Sequence, residues 1–72
     1  MEEMKMKTEY IGTNKYRYRF FKTPLGYTKF LLDVFINPNY INMTETNING
    51  SPSDEDVRRF ALSEIKRIES ME

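Results

Sequence analysis

The 72-residue chain contains no cysteine and no histidine. The first absence excludes a disulfide scaffold and any Cys-ligated zinc or iron–sulfur site. The second removes the commonest metal ligand and the commonest general base. There is no tryptophan, and only three glycines and three prolines punctuate the chain. No apolar run approaches the roughly 18 residues of a membrane span, and MEEMKMKTEY at the start has no signal-peptide core. These features lead us to expect a cytoplasmic chain. In such a chain the sequons Asn42-Met43-Thr44 and Asn49-Gly50-Ser51 are chance matches. Net charge is also lacking, with 11 basic residues balanced by 11 acidic ones. The distribution is uneven, since residues 1–36 carry seven Lys/Arg against four Asp/Glu and residues 37–72 carry four against seven. The pattern predicts one weakly basic surface rather than a basic protein.

A chain of this length makes one domain, expected over residues 1–72. Its core contributes only about 3–5 kcal/mol in the absence of staples. Five Phe and five Tyr offset the small size, because aromatic side chains bury the most area per residue. A partner or a second copy would add further stability.

The most legible stretch is Lys15 to Ile36. Tyr16, Tyr18 and Phe20 alternate with Lys15, Arg17, Arg19 and Phe21, the two-residue period of a half-buried strand. In 27–36 the even positions Phe30, Leu32, Val34 and Ile36 are apolar. Between the two runs, Thr23-Pro24-Leu25-Gly26 suits a type I turn closed by a left-handed glycine. That loop sets Phe20 opposite Phe30, Tyr18 opposite Leu32 and Tyr16 opposite Val34, with all six on one face. Turn chemistry and hydrophobic pattern therefore agree on one register.

Residues 4–11 alternate in the same way and read as an earlier strand. If Gly12-Thr13-Asn14 is a three-residue loop, Tyr10 faces Tyr16, Met6 faces Phe20 and Glu9 faces Arg17. The expected strands are thus about 4–11, 15–22 and 27–36, in an antiparallel meander with the aromatic strand in the middle. Pro38 ends the third strand. For the Asn-rich segment 40–50, a short edge strand over about 40–46 and a plain loop fit equally well. Ser51 with Pro52, or Ser53 with Asp56, can cap a helix over about 52–70. Val57, Phe60, Ala61, Ile65 and Ile68 form its apolar stripe. Asp54/Arg58 and Glu55/Arg59 are spaced as i,i+4 ion pairs. The fold class is α+β: a three- or four-stranded antiparallel sheet with one C-terminal helix on one face.

No nucleophile–base pair, phosphate loop or ligand set is legible, so neither catalysis nor a cofactor nor a small-molecule substrate is expected. The acidic run Asp54-Glu55-Asp56 is accounted for by the positive end of the helix dipole, and no metal site is expected there. Glu64, at the edge of the helix stripe, is expected to pair with Arg67.

Function is expected on the sheet face away from the helix. The register above puts Lys5, Lys7, Glu9 and Ile11 there, followed by Lys15, Arg17, Arg19 and Phe21, then Tyr27, Lys29, Leu31, Asp33 and Phe35. Aromatic residues and Arg are enriched in binding hot spots. A protein-binding regulator or inhibitor using Arg19, Phe21, Tyr27, Lys29, Leu31 and Phe35 is the leading expectation. Alternatively, this face is covered by residues 40–50 or by a homodimer. A phage or mobile-element accessory protein would fit the richness in Asn, Lys, Ile and Tyr. The runner-up is a nucleic-acid binder, with Lys15, Arg19, Lys22 and Lys29 on phosphates and Phe21 and Tyr27 stacking on bases. In topology and turn chemistry the chain resembles AP2-like and integrase arm-binding domains. That resemblance implies DNA binding through the sheet. The long Asn-rich segment before the helix departs from their compact layout. Arg17, set between Glu9 and Asp33, is expected to be neutralised by cross-strand pairing.

Overall fold

A computed structural model describes residues 3–71. Four strands, β1 (Lys5–Ile11), β2 (Asn14–Lys22), β3 (Tyr27–Ile36) and β4 (Asn39–Asn49), precede one helix, α1 (Asp54–Glu69). The strands form one antiparallel sheet in the order β1-β2-β3-β4, so β2 and β3 are interior. The α+β architecture agrees with the sequence reading, with four strands rather than three.

The central hairpin has the expected register: Tyr16 pairs with Val34, Tyr18 with Leu32 and Phe20 with Phe30. Its loop closes as the turn residues require. Gly26 N–H donates to the Thr23 carbonyl (3.1 Å), Thr23 N–H donates to the Tyr27 carbonyl (2.8 Å), and Gly26 sits at φ +96°. Positive φ is the conformation that glycine adopts without a Cβ penalty.

The first hairpin differs from expectation by one residue. Ile11 pairs with Asn14 and Lys5 with Phe20, so the loop is the two-residue Gly12-Thr13. Gly12 lies at φ +60° and Thr13 is not left-handed, which fits a type II′ turn with glycine first. A one-residue slip exchanges the two faces of a strand. Lys5, Lys7, Glu9 and Ile11 therefore lie on the helix side, and Met6, Thr8 and Tyr10 on the other. Charges are tolerated there because β1 is the edge strand beside the helix rather than beneath it. The Lys5 ammonium meets Asp54 at 2.9 Å and Glu9 meets Arg58 at 3.0 Å. The expected Glu9–Arg17 and Asp54–Arg58 pairs are replaced by these strand–helix bridges, while Glu55–Arg59 is present at 3.9 Å. The Lys5 hydrogen bond holds the Asp54 carboxyl below its ordinary pKa.

Residues 39–49 form a full strand, joined to β3 by a tight turn containing a cis Asn37–Pro38 bond. Pro38 ends β3 as expected, but the chain reverses at once. Leu32 pairs with Thr44 and Asp33 with Asn42, leaving Met43 as a bulge residue. The helix begins at a Ser53 cap, where Asp56 N–H donates to Ser53 Oγ (3.1 Å) and Ser53 N–H donates to Asp56 Oδ2 (3.4 Å). This is the second of the two expected capping arrangements; Pro52 lies just outside it.

The core lies between β2, β3 and the helix. Tyr16, Tyr18, Phe20, Phe30, Leu32, Val57, Ala61 and Ile65 are buried together, with Phe60 and Ile68 packed against them. Phe30 stacks on Tyr18 (centroids 5.9 Å apart) and meets Phe60 edge-on (5.0 Å). The Tyr16 hydroxyl donates to Glu69 at 2.5 Å, which ties the helix end to the sheet. Glu64 meets Arg67 at 2.8 Å, as its position at the stripe edge implies. Among the described residues no helix is long and apolar enough to cross a membrane.

Candidate binding face

Among the described residues, the helix closes one face of the sheet and nothing covers the other. Residues 40–49 do not fold over the open face; as β4 they widen it. From β2 it carries Lys15, Arg17, Arg19 and Phe21, and from β3 Tyr27, Lys29, Leu31, Asp33 and Phe35. The corrected register adds Met6, Thr8 and Tyr10, and β4 adds Tyr40, Asn42, Glu45 and Asn47.

At its centre lies Asp33, only 2% exposed although it stands on the uncovered side. Its burial is produced by the side chains around it. Arg17 Nη2 reaches Asp33 Oδ2 at 3.0 Å and Arg19 Nη2 reaches the same oxygen at 2.9 Å. Asn42 Nδ2 donates to Oδ1 at 3.2 Å. Arg17 and Arg19 are two apart on β2, so both point to this face and bracket the carboxylate from the neighbouring strand. Their side chains are 24% and 27% exposed, and each buries its stem while keeping part of its head in water. Arg19 Nε is buried with no acceptor among the described residues.

An aromatic cluster flanks this network at one end. The Arg17 guanidinium lies 3.9 Å from the Tyr40 ring centroid, and Tyr40 leans on Phe35 at 5.1 Å. The Lys15 ammonium stands among three rings, 5.3 Å from Phe35, 5.8 Å from Tyr40 and 5.9 Å from Tyr10. Contacts of this kind are cation–π interactions. A hydrogen bond with the Tyr40 hydroxyl, then the Tyr10 and Tyr40 oxygens, raise the Lys15 pKa. At the opposite end lie Phe21, Tyr27, Leu31 and Met6, of which Met6 is exposed and the others half-buried. Lys29 is held by Glu45 at 2.7 Å, and that hydrogen bond raises its pKa.

Each sequence-derived site residue can now be placed. Arg19, Phe21, Tyr27, Lys29, Leu31 and Phe35 share the open face. Of the four cations offered for phosphate, Arg19 is matched by Asp33 and Lys29 by Glu45. Lys22 faces the helix side, where its ammonium bonds the Ser51 hydroxyl. Among the described residues, neither Lys15 nor Lys22 has a carboxylate in salt-bridge contact, and of the two Lys15 lies on the open face. Ile11, expected in the apolar patch, packs instead on the core. Of the seven residues that β1 and β4 add to the face, three are aromatic or large and apolar: Tyr10, Met6 and Tyr40. Reading Gly12-Thr13 as a glycine-first two-residue turn would have supplied the first two. Tyr40 follows once 39–49 is read as a strand.

Elsewhere, a groove of about 470 Å³ runs between Ile11 and the last turns of the helix, lined by Leu62, Ile65, Lys66, Glu69 and Ser70. Among the described residues no acidic group of three or more is placed to hold a metal ion. No protein-family model matches this chain, and neither a characterised protein nor a solved structure matches it.

Proposed function

We propose that this chain is a small non-enzymatic binding module, a regulator or inhibitor that engages another protein through the open face of its sheet. The observation that carries this reading is that the cations at the centre of the face are engaged by carboxylates. Arg17, Arg19 and Lys29 meet Asp33 and Glu45, so the group keeps a net charge of only +1 and the face offers guanidinium planes and aromatic rings with little free positive charge. Arg and aromatic side chains are the groups that dominate protein-binding hot spots. Large apolar groups on an uncovered face mark an interaction surface; here Met6 is exposed beside half-buried Phe21, Tyr27 and Leu31, with half-buried Phe35 at the other end. The buried, unmatched Arg19 Nε is a further polar group that a partner's carbonyl could satisfy after a small side-chain movement.

Nucleic-acid binding is the second reading, favoured by Lys15 beside Tyr10, Phe35 and Tyr40. The two readings differ in their response to salt. Contacts to phosphate release counterions, and affinity then falls steeply with ionic strength. Fluorescence anisotropy with mixed-sequence single- and double-stranded oligonucleotides, at about 50 and about 200 mM salt, separates them. We expect no saturable binding at either concentration. Binding at low salt that weakens by about tenfold or more at high salt would transfer the face to the second reading.

A further inference from the structure

The two edges of the sheet are built differently. β1 carries Lys5, Lys7 and Glu9 within its seven residues, the charged edge that blocks pairing with another strand. β4 is longer, at 11 residues, and its sequence NYINMTETNIN holds a single charge, Glu45. No described strand pairs with its outer side, and Ile41 and Met43 beside it are 47% and 40% exposed. The Met43 bulge is the one device that interrupts this edge, and it leaves the stretch 44–49 regular.

We propose that β4 pairs with β4 of a second copy, antiparallel about a two-fold axis perpendicular to the sheet at Thr46. Such an axis keeps both helices on one side and joins the two open faces into one eight-stranded surface. Two exclusions narrow the register, and the pair at its centre selects it. Pairing centred on Glu45 sets like charges directly opposite each other, and pairing centred on Thr44 runs into the bulge on both chains. Centring on Thr46 avoids both. It pairs Thr46 with Thr46 of the second copy, a favourable hydroxyl pair. Thr44 then faces Ile48, and Glu45 faces Asn47, twice over. A core as small as this one is the setting in which pairing between copies adds stability.

Asn47 makes the proposal testable, because within its own chain it lies opposite Lys29. In Asn47→Glu the new carboxylate faces Lys29 inside the subunit, so the fold is kept, but it faces Glu45 of the second copy. In Asn47→Lys the new ammonium faces that same Glu45. Sedimentation equilibrium of the full chain should show a concentration-dependent species of twice the 8.7 kDa monomer. Its dissociation constant should rise about fivefold to tenfold in Asn47→Glu and fall by a similar factor in Asn47→Lys. Circular dichroism melts of both variants establish that each is folded. A wild-type chain that stays monomeric, or a dimer that the two substitutions affect alike, overturns the proposal.

Discussion

Asp33→Ala should lower the stability of the chain by about 2–4 kcal/mol, one of the largest effects available to a residue on an uncovered face. The carboxylate is 2% exposed and receives Arg17, Arg19 and Asn42. Its removal leaves two guanidinium groups side by side with nothing between them. Breaking a buried ion pair from one side costs more than the pair contributes, because the remaining charge is stranded. Both arginines stay about a quarter exposed and regain some water, which places the effect below that of a fully enclosed pair. Since a core of this size supplies only about 3–5 kcal/mol, a large share of the variant should be unfolded at 25 °C. Urea titration followed by circular dichroism measures this directly. A loss below about 0.5 kcal/mol would show that the three groups behave as ordinary surface charges. Replacing the whole network, with Arg17→Met, Asp33→Leu and Arg19→Met together, should return most of the stability, because no charge is then stranded. That variant separates the network's part in folding from its part in binding.

Phe30→Ala should be the most damaging single truncation. Phe30 is fully buried, stacks on Tyr18 and receives the edge of Phe60 from the helix. Truncating a buried Phe removes its transfer free energy and leaves a cavity, at a cost of about 3–5 kcal/mol. That equals the whole stability expected of so small a core. The far-ultraviolet spectrum should be that of an unfolded chain at 25 °C, and no cooperative melt should remain. A cooperative melt within about 5 °C of the parent would mean that the aromatic stack contributes less than about 1 kcal/mol.

The sequence was most readable where two independent signals coincide. At the central hairpin the Pro24–Gly26 turn and the alternation of Tyr16, Tyr18 and Phe20 demand the same pairing, and the structure has it. The helix was legible for the same reason, with a Ser53 cap ahead of a Val57–Ile68 stripe. A three-residue Gly12-Thr13-Asn14 loop misregisters β1 by one residue, and the error looks self-consistent because it turns Met6 and Tyr10 inward, on the assumption that apolar residues face the core. At an edge strand that assumption fails: Lys5 and Glu9 face the helix side because Asp54 and Arg58 receive them there. β4 was ambiguous because its asparagines resemble a loop, and because the Met43 bulge breaks the two-residue period. Within the candidate site, the Arg17–Asp33 pair followed from the hairpin register. The convergence of Arg19 on the same carboxylate did not, since it is a diagonal contact set by side-chain reach rather than by direct opposition. The cluster of Lys15 with Tyr10, Phe35 and Tyr40 depends on both outer strands, and so was hidden until their registers were known.

The central claim, that the open face is where a protein partner is held, is tested most directly by site-specific photocrosslinking. A photoreactive phenylalanine analogue is placed at Phe35 or Phe21 on the open face, and at Ser63 on the solvent side of the helix, in otherwise intact chains exposed to extract of the source cells. The account predicts one discrete protein adduct from positions 35 and 21, resistant to nuclease, and none from position 63. Adducts from position 63 alone, or open-face adducts that nuclease removes, would contradict it.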